Sequence, residues 1–166
     1  QLFMAAYQLT ELMSGLIAER VETPTEDLTS ALVHAEVDGE QLTHEEISSF
    51  FILLLVAGNE TTRNAISWAL NLVTEHPDQR AIWWDDFEGV AASAVEEVVR
   101  WASPVISMRR TATRDGVTLG DRAFDEGDKV VLYCWAANRD PVAFEDPHTF
   151  DVRRVPNDHL GYGAPG

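Results

Sequence analysis

Apolar residues at Leu9, Leu12, Met13, Leu16 and Ile17 recur at helical spacing and predict a first helix. Thr23-Pro24-Thr25-Glu26 has the form of a capping box with proline at the first helical position. It predicts a second helix that carries Leu28, Leu32 and Val33. Asp38-Gly39 is a turn signal. Thr43-His44-Glu45-Glu46 is a second capping box, and it opens the longest apolar pattern in the chain. That pattern runs through Ile47, Phe50, Phe51, Leu54 and Leu55 to Ile66, Ala69, Leu70 and Val73, and predicts a helix reaching about His76. Pro77 ends it and suits the first turn of the next helix. Residues 50–57 are apolar on nearly every side, the pattern of a helix that runs through the middle of a protein. A further helix is predicted from about Gly89 to Ala102.

The period then changes. Arg109 to Thr113, Val117 to Leu119 and Lys129 to Tyr133 read as short strands separated by Gly and Asp turns. After Trp135 the chain is rich in Asn, Asp, Pro and Phe without a clear period, and it closes on Gly161-Tyr162-Gly163-Ala164-Pro165-Gly166. The fold class that follows is mainly α with a small β region. At 166 residues the chain has the size of one domain, helical over 1–102 and β-containing over 103–166. The longest apolar run, Phe50 to Ala57, is too short to cross a bilayer, so no membrane span is expected.

Charge narrows the partners. Twelve basic residues face 28 acidic ones, a net charge of −16, so a nucleic-acid partner is not expected. From Val21 to Thr62 there are nine acidic residues and no Lys or Arg, whereas Arg100 to Arg154 holds nine of each sign. An anionic ligand would find its cations in that last third. The single cysteine, Cys134, excludes an internal disulfide and fits a reducing, cytoplasmic location. It reads as a small buried hydrophobe. The five histidines show no ligand spacing, since Ser48 stands where an HExxH motif needs its second His, and a protein-only metal site is not expected.

Three stretches carry candidate chemistry. Ala57-Gly58-Asn59-Glu60-Thr61-Thr62 breaks the rules of its own helix: Gly costs about 1 kcal/mol against Ala, and a carboxylate follows directly on the most apolar run. It reads either as a widened or kinked helix beside a flat ligand, with Glu60 and Thr61 handling protons or water, or as a solvent-facing turn. Glu97-Val98-Val99-Arg100 places an acid and a base on one helix face, and by itself reads as a surface ion pair. Arg109-Arg110 reads as a solvated edge strand or as a holder of carboxylates beside an apolar pocket.

In this order and spacing the motifs resemble the cytochrome P450 superfamily, the heme-thiolate monooxygenases. The 57–62 stretch resembles the family's oxygen-activation motif, and Glu97-x-x-Arg100 its ExxR motif. Asn138-Arg139-Asp140-Pro141, Phe144-x-x-Pro147 and Phe150-Asp151-x-x-Arg154 resemble the segment before the heme loop, and His159-Leu160-Gly161-Tyr162-Gly163 the start of that loop. Residues 57–64 and 100–105 look like the actinobacterial branch that oxidises sterols and methyl-branched lipids.

The resemblance implies a heme cofactor, O2, an apolar small-molecule substrate and a ferredoxin-type electron donor. It implies that Thr61 hydrogen-bonds iron-bound oxygen, that Glu60 feeds protons, and that Ala57 and Gly58 let the helix pass close to the porphyrin. Arg110 would pair a heme propionate, with Tyr162 and Gly163 in the cofactor loop. Leu53, Val56, Val105 and Ile106 would line the substrate side. Glu97, Arg100 and Arg154 would form a buried structural cluster. The thiolate ligand would be a Cys a few residues beyond Gly166, because Cys134 matches the strand before Asn138. The expected object is therefore a piece of a longer enzyme that is inactive and folds poorly by itself. The rival expectation is a non-catalytic, acidic helical interaction module that keeps the motifs as ancestry.

Overall fold

The computed structural model describes residues 2–163, with backbone alone for Leu2, Phe3, Ala5, Ala6 and Val37. Ala164-Pro165-Gly166, the end of the glycine-rich loop, lies outside the described residues. The chain divides into two compact units, residues 1–60 and 61–166.

The first unit holds α1 (Leu2–Glu22), α2 (Leu28–Val33), a hairpin of β1 (Glu36–Val37) and β2 (Glu40–Gln41), and the beginning of α3 (His44–Glu75). Met13, Ile17 and Ile47 form its core, with Leu16, Leu32, Val33, Leu42 and Phe51 packed around them. The Asp38-Gly39 turn is a hairpin turn with both residues at positive φ, 55° and 85°, which matches the twist of two antiparallel strands. The second capping box forms as expected: Thr43 Oγ1 accepts the Glu46 N–H at 3.2 Å, and Glu46 Oε2 accepts the Thr43 N–H at 2.8 Å. The first does not. Residues 23–27 are irregular, and α2 is capped by Asp27, whose Oδ1 accepts the Ser30 N–H at 2.7 Å. Thr25 instead gives its hydroxyl to Asp27 Oδ2 at 2.6 Å, so the stronger acceptor takes the cap and moves the helix start downstream.

The second unit holds the rest of α3, then α4 (Pro77–Asp85) and α5 (Phe87–Ala102). Four strands follow, β3 (Met108–Thr111), β4 (Val117–Leu119), β5 (Arg122–Phe124) and β6 (Lys129–Leu132), and then the short α6 (Cys134–Ala137). Strand β3 pairs antiparallel with β6, Met108 opposite Leu132, and β4 pairs with β5 across a turn at Gly120. The core is Leu72 of α3, Val90, Ala94 and Val98 of α5, and Phe150 and Val152. Helix α5 begins two residues earlier than its apolar pattern, because Asp86 caps it by accepting the Gly89 N–H. It ends where Ser103 turns left-handed at φ 42° just before Pro104. Strand β5, three residues of which only Phe124 is half-buried, has no alternation to announce it.

Helix α3 is regular through residues 57–62, so of the two readings of that stretch it does not adopt the widened one: one glycine inside a propagating helix is a cost of about 1 kcal/mol, too little to break it. Among the described residues much of its apolar stretch is exposed, Leu53 at 64% and Val56 at 69%, while Ile47 and one flank at Phe51 pack in the core of the first unit.

Candidate functional site

The second unit builds its site on α5. Three of its consecutive side chains, Val98, Val99 and Arg100, are buried, and so is Glu97 before them. Glu97 and Arg100 are fully buried, which overturns the surface ion pair that their spacing alone suggests. The guanidinium grips the carboxylate at two points, Nε to Oε2 at 2.7 Å and Nη2 to Oε1 at 2.8 Å. Its other donors go to backbone carbonyls, Nη1 to Asn138 at 2.7 Å and Pro147 at 2.9 Å, Nη2 to Thr149 at 3.3 Å. All five donors are therefore used. The Trp101 and Phe144 rings flank the cation at 5.6 and 5.4 Å.

Arg154 joins the same carboxylate through Nε at 3.1 Å and fixes the carbonyls of Glu145 and Thr149 at 2.6 and 2.8 Å. Asn157 Nδ2 and the Asp151 N–H complete the donor set around Glu97. The cluster pins the irregular segment 138–157 to α5. Beside it Arg139 lies over the rings of Trp135 and Trp101, at 4.1 and 5.3 Å. Burial, and then the neighbouring Arg100 charge, lower its pKa from the usual arginine value.

That pinned segment leads into a mainly apolar cavity of about 630 Å³. Met108 and Arg110 of β3, residues 130–134, Ala137 of α6 and the loop residues Leu160, Tyr162 and Gly163 line it. Loop and α6 meet through Asn138, fully buried, whose Oδ1 accepts the Leu160 N–H at 2.7 Å. Gly163 sits at φ +97°, and a Cβ there would lie 3.2 Å from Met108 Cε, so the wall is shaped for a residue without a side chain. Arg110 is exposed at the cavity, with its nearest bonds to the Arg109 carbonyl at 3.1 Å and Met108 Sδ at 3.7 Å. Among the described residues no carboxylate pairs with it. An apolar hollow with a glycine wall and an available guanidinium fits a flat apolar group that carries carboxylates, which is the chemistry of a porphyrin with its propionates.

The sequence-expected residues fall into three groups. Glu97, Arg100 and Arg154 come together as one cluster. Arg110, Tyr162 and Gly163 share the cavity. Ala57, Gly58 and Glu60 are exposed on α3, and Thr61 half-buried after them; Ile106 is exposed and Val105 partly buried between α5 and β3. Sequence reasoning gave no role to Asn138, Met108 or His159, although Asn138 and His159 stand inside quoted motifs. Cys134, read as core, is buried and also faces the cavity.

Comparison with known proteins agrees with this geometry. The family model for cytochrome P450 matches residues 4–82 and 90–159. A methyl-branched lipid omega-hydroxylase of Mycobacterium tuberculosis is 55% identical over 153 residues, covering 92% of this chain and 36% of the relative. A steroid C26-monooxygenase of Mycolicibacterium smegmatis is 40% identical over 163 residues, 98% of this chain and 37% of the relative. Among solved structures, a Bacillus megaterium P450 in complex with corticosterone superposes with a TM-score of 0.92 at 38% identity, over 97% of this chain and 43% of that one. The chain thus spans little over a third of the curated relatives it matches. With the motifs in register, the ExxR pair buried and the family model matched along most of its length, the chain belongs to the cytochrome P450 family.

Proposed function

We propose that this chain is part of a heme-thiolate monooxygenase that inserts one oxygen atom of O2 into an apolar, sterol- or lipid-like substrate. The observation that carries the reading is the apolar cavity closed by a glycine loop, with Arg110 at its edge. The 55% identity to a lipid hydroxylase supports the substrate class.

In this reading Arg110 would pair a heme propionate, and Tyr162 and Gly163 would belong to the wall of the cofactor site. When bound, a thiolate-ligated heme supplies the O–O cleavage chemistry that side chains lack. The thiolate expected after Gly166 is not among the described residues. Glu60 and Thr61 stand at consecutive positions of α3, the carboxylate exposed and the hydroxyl half-buried. That gradient suits proton transfer from solvent toward a site, with Glu60 taking the proton up and the Thr61 hydroxyl relaying it, giving its own proton onward as it accepts another at Oγ1. Ala57 and Gly58 leave the helix surface low for a flat neighbour; a Cβ at Gly58 would meet nothing within 4 Å. Leu53, Val56, Val105 and Ile106 offer the apolar contacts for substrate, and a ferredoxin-type protein in the cytoplasm delivers the electrons. Both units serve one P450 domain.

The test is the reduced, carbon-monoxide difference spectrum of the full-length protein. A thiolate-type band, with product heavier than a branched lipid or sterol substrate by one oxygen atom, is expected. Absence of heme after expression with excess hemin would refute the reading.

A further inference from the structure

We infer that His159 is a positioning residue: its neutral ring, protonated on Nε2, latches the glycine loop of the cavity to α5, and a second proton opens that latch. The inference stands on the loop geometry and holds whatever fills the cavity.

The ring is 8% exposed and bonded at both nitrogens. Nδ1 accepts the Gly161 N–H at 3.1 Å, and Nε2 lies 2.8 Å from Glu96 Oε2. A backbone amide can only donate, so Nδ1 must present its lone pair. The ring proton is therefore on Nε2, and it points to the Glu96 carboxylate. The carboxylate fixes the tautomer, and the tautomer fixes the loop.

The loop needs such a hold. Gly161 lies directly on α5: a Cβ there would come 2.5 Å from Val99 Cγ1 and 3.0 Å from the Val99 carbonyl. Glu96 and Val99 are three residues apart on α5 and so share a face, and the loop is tied to that face at both points. The next amide back, that of Leu160, ends on Asn138 Oδ1, itself anchored by Nδ2 to Ser103 Oγ at 2.9 Å. Two successive loop amides thus end on side chains, and the residues they place, Leu160, Tyr162 and Gly163, are cavity wall. Of these two acceptors only the imidazole can lose its lone pair to a proton. Protonated Nδ1 would turn an N–H toward the Gly161 N–H, and the contact fails.

The charged groups of the surrounding elements do not compete for the ring. Glu97 is engaged by Arg100 and Arg154, and Asp158 is an exposed neighbour in the chain. Arg110 faces the cavity from β3. Glu96 is the carboxylate in contact, 60% exposed, and it holds the ring in either charge state.

The experiment compares wild type, His159→Ala and His159→Asn in the full-length protein, reading amide exchange at Gly161 and the nitrogen shifts of the His159 ring. Asparagine accepts from the N–H two residues on but is too short for Glu96, so it restores the loop bond alone. We expect a bare Nδ1 and a protonated Nε2 in the wild type near pH 8. Gly161 exchange, corrected for intrinsic rate, should be roughly fivefold faster in His159→Ala and close to wild type in His159→Asn. Moving to about pH 5 should speed Gly161 in the wild type and leave His159→Asn unchanged. A proton on Nδ1, an Asn variant as open as the Ala variant, or the same acid response in His159→Asn would each overturn the latch. Should His159→Ala fail to fold, the ring spectrum and the Asn variant still decide.

Discussion

Two helices of this chain carry an acid and an arginine three residues apart, and the pairs meet opposite fates. Glu97 and Arg100 of α5 are fully buried; Glu60 and Arg63 of α3 are exposed. Spacing is identical, so it decides nothing by itself. What differs is the surrounding backbone. Residues 138–157 bring carbonyls of Asn138, Pro147 and Thr149 to the Arg100 guanidinium and a second arginine to Glu97. Burial of a charge is tolerable only with such a complete set of partners. On α3 the carboxylate keeps its contact with water, which is what a group that exchanges protons with solvent requires. The same three-residue spacing is thus buried as architecture in one place and left accessible to solvent in the other.

Mutations sharpen this contrast. Arg100→Ala should be the most damaging, since it leaves Glu97 charged and buried; a loss of about 3–5 kcal/mol in urea unfolding is expected. Lysine should not rescue it, because one ammonium cannot supply the five donors of the fork. Arg154→Ala removes one charged donor from Glu97 and leaves the bidentate pair, so about 2 kcal/mol is expected by the same measurement.

Acid should act on a half-buried pair in the other unit. The Asp27 carboxyl is held well below its usual value by the Thr25 hydroxyl and then by Arg20. A lowered carboxyl pKa contributes stability that is complete above the usual value of 3.8 and is lost as pH falls further. Protection of the Ser30 amide at the start of α2 should fade below about pH 4, and Asp27→Ala should lack that acid dependence. Glu60→Gln should sit at the small end, within about 0.5 kcal/mol of wild type in urea, as for other exposed positions.

The sequence reading succeeds where local rules act alone. The Thr43 capping box, the Asp38-Gly39 turn, Pro77 at a helix start and the long α3 all follow from a few adjacent residues. It fails where distant partners compete. The Thr23 box loses to Asp27, and β5 has too few residues to show a period. The Glu97–Arg100 pair could be called buried only through family resemblance, because its partners arrive from residues 138–157. Of the candidate site, Tyr162 and Gly163 were legible as motif members and Arg110 through the resemblance, and the three share one cavity. Asn138 and His159 stand inside quoted motifs, but their roles were not legible, since their work is to hold loop amides, and no spacing rule marks a side chain that accepts from a backbone folded onto it.

The most direct test of the division between the two pairs is Glu60→Gln in the full-length protein, read as the rate of substrate hydroxylation per enzyme, beside heme content and urea midpoint. The account predicts intact heme and stability with turnover lowered about 100-fold or more, the usual size of a lost proton-transfer group. Unchanged turnover, or a loss of stability comparable with that of Arg100→Ala, would contradict it.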